Sequence, residues 1–156
     1  MPLRPHPYAK LHHYAAIMLE SLVQELRELE KKIRALEREE EELYGKLAWE
    51  YGLGRPYTKC VGGKVYVYWD VYNGNDVRLE GKDAEKALRL LRVRSELREL
   101  RKTYKAKRKM YRRYRAHYMA TAPYAGVCLE SNRSVPCPPQ VLEQLIESLQ
   151  AKMGQK

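Results

Sequence analysis

Leu19, Leu22, Leu26, Leu29, Ile33 and Leu36 are separated by alternating steps of three and four residues, and Leu43 and Leu47 resume that register after Glu40 takes one seam position. Such spacing puts every one of these side chains on a single stripe of one long helix, expected from about Lys10 to Tyr51. Gly52, Gly54 and Pro56 then supply the stop. A stripe this narrow is buried most simply against a second helix of the same period. The chain provides one: from about Asp83, a fair N-cap with Glu85 in its first turn, to about Met119. Its seam steps through Leu90, Val93, Leu97, Leu100, Tyr104, Lys107, Tyr111, Tyr114 and Tyr118. Half way along, this seam changes from aliphatic to tyrosine.

Between the helices the period switches from helical to alternating. YTKCV, KVYVYWDVY and DVRLE are β-rich, and Gly62-Gly63 and Asn73-Gly74-Asn75 separate them with residues that accept the positive φ of tight turns. In the middle run Val65, Val67, Trp69 and Val71 form one face, expected to sit on the helices. Tyr66, Tyr68, Asp70 and Tyr72 form the wetter one. Residues 139–153 offer Val141, Leu142, Leu145, Ile146 and Leu149 on one side of a helix too short to stand alone. The expected fold is α+β, mainly α: an antiparallel heptad-patterned helical hairpin, a three-stranded antiparallel β-meander over 57–80, and a short C-terminal amphipathic helix. By this division residues 1–9 are an irregular arm, 10–122 the hairpin with its meander, and 123–156 a loop and the last helix.

Charged residues are 32% of the chain and hydrophobic residues 44%, which suits a narrow core in an elongated helical protein. Scarce Asn with abundant Glu, Arg and Lys hints at a hot-adapted source, although any charged coiled coil shares that composition. The net charge of +10 makes polyanions the default partner class. Residues 37–42 are mostly acidic, while 101–115 hold nine Lys or Arg and no acid. Antiparallel pairing would oppose these charges, and it predicts that the two polar seam residues, Glu40 and Lys107, meet.

The stretch RKTYKAKRKMYRRYR is the leading functional candidate. Its bland reading is a solvated face whose tyrosines are seam and whose cations pair with acids of the first helix. The sharper reading takes Arg101, Lys102, Lys105, Arg108, Lys109, Arg112, Arg113 and Arg115 as phosphate contacts, with Tyr66, Tyr68 and Tyr72 as aromatic contacts to bases. Recognition would be of the backbone of DNA or RNA, since no helix-turn-helix, zinc-finger or RNP motif is present. A homo-oligomer or larger nucleoprotein assembly, chromatin-like or viral, is the expected setting. No Walker loop, HExxH, GxSxG or DxD occurs, so no catalysis and no cofactor are expected. His12 and His13 point about 100° apart on a helix and form no metal site with His6. Cys128 and Cys137 bracket CLESNRSVPC and either form a disulfide or remain inert thiols. Intracellular disulfides are disfavoured except in hyperthermophiles. With neither a signal-peptide run nor a membrane-length apolar window, the expected location is cytoplasmic or within a nucleoprotein particle, not secreted.

The order helix, β-hairpin, helix, with YTKCVGGKVYV entering the strands, resembles a prefoldin β subunit. The resemblance implies a coiled-coil assembly or chaperone-like module whose sheet mediates oligomerisation and whose basic face binds an acidic protein. The Arg- and Tyr-rich second helix and the added C-terminal helix depart from that family.

Overall fold

A computed structural model describes residues 3–154. The elements are β1 (Arg4–Pro5), α1 (Pro7–Tyr51), β2 (Gly54–Val61), β3 (Lys64–Val71), β4 (Val77–Leu79), α2 (Gly81–Thr121), a 3-10 turn (Ala122–Tyr124), β5 (Val127–Glu130), β6 (Arg133–Pro136) and α3 (Pro139–Met153). The fold is α+β and mainly α, with two three-stranded antiparallel sheets ordered β2-β3-β4 and β1-β5-β6. The chain divides into two compact units, one of Met1–Arg27 with Lys105–Lys156 and one of Glu28–Tyr104. Each contains a part of both long helices.

In the unit of Glu28–Tyr104 the helices run antiparallel: Arg89 pairs with Glu39 at 2.6 Å, Arg101 with Glu37 at 4.0 Å, and the Tyr104 hydroxyl donates to Glu30 at 2.8 Å. Leu47, Val67, Trp69, Leu79, Ala87 and Leu90 form its core. The aliphatic face of β3 thus packs inward as expected, except that Val65 lies beyond the core at 63% exposure. Trp69 donates its indole N–H to the Gly52 carbonyl at 2.9 Å, satisfying the one polar atom that its burial would orphan. Gly52 ends α1 at φ +96°, its N–H on the Ala48 carbonyl. Gly54 has a different role: a Cβ there would stand 2.3 Å from the Asp70 carbonyl oxygen and 2.6 Å from the Trp69 indole nitrogen. Both turns form where the sequence put them. α2 begins two residues before Asp83, which takes the Tyr51 hydroxyl at 2.5 Å instead of capping the helix.

The unit of Met1–Arg27 with Lys105–Lys156 departs further from expectation. The N-terminal segment is not an irregular arm: Arg4 and Pro5 pair with Leu129 and Cys128, and α1 starts at Pro7. His6 is its cap, with Nδ1 accepting the Tyr8 N–H at 3.0 Å, and Pro7 takes the first helical position, where its missing N–H costs nothing. The stretch after Pro123 is not irregular either. Val127–Glu130 and Arg133–Pro136 form a hairpin closed by Ser131 and Asn132, both at positive φ (48° and 70°), the geometry of a two-residue turn. Cys128 and Cys137 are joined by a disulfide, with Cα atoms 4.9 Å apart. Closing so short a loop removes about 2.5 kcal/mol of chain entropy from the unfolded state. α3 has the bounds that its pattern indicates; it lies against β1 and buries Leu145 and Leu149.

Candidate nucleic-acid interface

The seam spacing explains which cations of α2 are free. At 100° per residue, Lys105, Arg108, Lys109, Arg112, Arg113 and Arg115 share an arc of about 160°. Tyr104, Lys107, Tyr111 and Tyr114 occupy the opposite side. The second set is half-buried and the first exposed. The six exposed cations extend over about 15 Å of helix.

Charge pairing separates the eight expected phosphate contacts. Arg101 reaches Glu37 at 4.0 Å and Lys102 reaches Glu99 at 3.6 Å, and both lie in the unit of Glu28–Tyr104. The remaining six lie in the other unit, and among the described residues none has a carboxylate partner. Arg113 is 5.6 Å from the ring of its neighbour Tyr114. By sequence, this unit holds 13 Lys and Arg against 5 Asp and Glu, a net +8. Glu28–Tyr104 holds 17 against 15, a net +2. Nearly all of the chain's surplus charge therefore belongs to the unit that carries the unpaired face.

Glu40 and Lys107 do not meet. Glu40 pairs with Arg94 at 3.4 Å and Lys107 with Glu25 at 2.7 Å. Each seam charge found an opposite charge placed across its own stretch of helix, so neither fixes the register in the expected way.

Tyr66, Tyr68 and Tyr72 lie on the meander, in the unit of Glu28–Tyr104. Tyr66 is covered by Arg78, whose guanidinium carbon is 4.3 Å from the ring centre, and Tyr68 stacks on Tyr57 at 5.3 Å. The Tyr57 hydroxyl donates to Asp76, which pushes its pKa up to about 12. Tyr72 is 56% exposed. The tyrosine ladder is thus largely engaged within its own sheet.

A second group of rings lies in the same unit as the cations. His6 stacks on Tyr124 at 4.7 Å, Tyr8 meets Tyr124 edge-on at 5.1 Å, and Tyr118 stacks on His12 at 4.3 Å. Tyr8 is 51% exposed and Tyr118 38%. The heptad period places Tyr118 in the seam, yet in the fold the residue is partly exposed. His12 is buried, its Nδ1 within 3.0 Å of the Tyr118 carbonyl and 3.1 Å of the Thr121 hydroxyl. The carbonyl can only accept, so Nδ1 carries the proton.

Burial holds His12 below its ordinary pKa of 6.5, with His13 acting the same way and the Tyr118 carbonyl opposing them. The folded state therefore favours the neutral ring. Its contribution to stability is complete above the unfolded pKa and is lost as pH falls from there through the depressed folded value. A melting temperature that declines as pH drops below about 6.5, and a shallower decline in His12→Gln, are expected from thermal unfolding across that range. Identical slopes in the two proteins would remove His12 as the cause.

Among the described residues no three His, Cys, Asp or Glu side chains are placed to hold a metal ion, and no helix is long and apolar enough to cross a membrane. No protein-family model, curated protein or solved structure matches this chain. The prefoldin-like order of elements accordingly rests on the residues quoted for it alone.

Proposed function

We propose that this protein is a non-enzymatic nucleic-acid-binding or nucleoprotein-assembly protein that grips the phosphate backbone through the outer face of α2, with little base specificity. The observation that carries this reading is the set of six exposed cations, Lys105, Arg108, Lys109, Arg112, Arg113 and Arg115, on one helix face and without carboxylate partners among the described residues. A surface that served only solubility would have no need to exclude acids, yet between Glu99 and Glu130 the sequence contains none. A regular helix presents its charges at a spacing that can follow a strand, whose phosphates recur about every 3.4 Å of duplex axis.

The test is a salt titration of binding to duplex and single-stranded DNA and RNA. If all six cations engage phosphates, log K falls against log salt with a slope of about −5 on duplex and about −4 on single strands. That amounts to about a thousandfold loss on duplex between 50 and 200 mM salt. No binding at low salt would eliminate the reading.

A second reading, protein assembly, is favoured by the surface of the other unit. Trp49 is 93% exposed and Leu53 66%. A groove of about 570 Å³ with an apolar floor of Ala35, Leu36 and Leu100 opens between its helices. β2 is paired on one side only, leaving an edge that a further strand can join. These features suit a homo-oligomer or a larger particle and are compatible with nucleic-acid binding by α2. Sedimentation of the protein with and without nucleic acid separates assembly on its own from assembly on a polyanion.

A further inference from the structure

The rings clustered at the end of α2 specify which form of nucleic acid suits the cationic face. Arg108, Arg112, Arg115 and Met119 follow one another by steps of four, three and four, so they form a single row along the helix. The row changes from guanidinium to thioether at its end, where Met119 is 63% exposed. Tyr118 flanks that end. One side of its ring is taken by His12 at 4.3 Å, yet the residue keeps 38% of its surface in solvent. Tyr8 stands one turn before His12 on α1, hence on the same face, and is 51% exposed while its edge contact with Tyr124 fixes its orientation. Tyr124 is in turn backed by the His6 ring.

Rings held by ring neighbours and still partly exposed are poor candidates for core residues and good surfaces for stacking. Paired bases in a duplex already stack on one another and show side chains only their edges. Unpaired bases present the flat faces that a ring needs.

We propose that the ligand of this face is single-stranded nucleic acid, its phosphates on the arginine row and its unpaired bases stacked on Tyr118 and Tyr8. This proposal rests on the nucleic-acid reading given above and adds the strand state to it. The arrangement predicts three things together: preference for single strands, dependence on the aromatic faces, and indifference to the phenol hydroxyls.

The experiment compares a dT oligonucleotide of about a dozen residues with a duplex of equal length, at one low salt concentration, for the full chain and for two double variants. Tyr8→Leu with Tyr118→Leu keeps apolar bulk but removes the planar faces, and should weaken dT binding by about tenfold or more for each ring lost. Duplex binding should stay within about twofold, because the arginine row is untouched. Tyr8→Phe with Tyr118→Phe should bind dT as the original does. Circular dichroism of each variant establishes that the helices persist, and the duplex measurement reports separately whether the cationic face survives. Equal losses on dT and duplex in the Leu variant would overturn the proposal, as would unchanged dT binding. Loss in the Phe variant would overturn stacking in favour of a hydroxyl contact. If the original chain binds duplex as tightly as dT, the strand preference fails while the nucleic-acid reading stands; if it binds neither, both fail.

Discussion

Replacing Arg108, Lys109, Arg112 and Arg113 together by Gln is expected to weaken binding to nucleic acid by about four thousandfold near 0.1 M salt. Each phosphate neutralised on duplex DNA contributes about 0.9 to the salt slope, which corresponds to nearly tenfold in affinity at that concentration. Four of the six exposed, unpaired cations would be lost. The slope should therefore fall from about −5 to about −2, a change that can be read even if residual binding is measurable. Helicity should hardly change, because Gln is nearly as good a helix former as Arg or Lys and all four side chains are exposed. The matched control is Arg101→Gln with Lys102→Gln. Those two cations are paired with Glu37 and Glu99, and their removal should cost much less affinity. Equal losses from both sets would mean that total charge, rather than the open face, governs binding.

The second large effect concerns the seam. Leu97 has no exposed surface, and neither do Leu90 and Val93, which share its side of α2. Leu97→Asp removes packing worth about 2–5 kcal/mol and leaves an uncompensated polar group that costs about 3–5 kcal/mol. That total approaches or exceeds the entire stability of an ordinary domain. Denaturation followed by circular dichroism should find the unit of Glu28–Tyr104 unfolded or close to it. Leu26→Asp should do less harm, since Leu26 is only half-buried and its carboxylate can reach water. A Leu97→Asp protein that melts like the original would refute the burial of the seam.

The sequence carried the parts of this fold that depend on local period. Heptad steps identify α1 and α2 within a few residues, and alternation with Gly and Asn turns identifies the meander. The apolar positions of 139–153 mark out α3. In each case burial repeats along one element, so its mark is written in consecutive residues. The sheet β1-β5-β6 left no comparable mark. β1 is only two residues long, and its partner lies more than a hundred positions away. The hairpin of β5 and β6 was legible in principle, with four residues on either side of Ser131 and Asn132, but it lacks the glycine that usually signals such a turn.

The candidate site divides along the same line. That α2 has a cationic face follows from composition and helical spacing, and the sequence by itself determined it. Which cations remain free was decided by tertiary structure, because neutralisation depends on carboxylates brought close from elsewhere: Glu37 takes Arg101, Glu25 takes Lys107, and Glu40 goes to Arg94. The same holds for Tyr118, whose position fits the seam period but whose ring is half open because His12 backs only one side. Periodicity tells which way a side chain points from its own helix. What it meets there is a property of two segments at once, and only the folded chain brings them together.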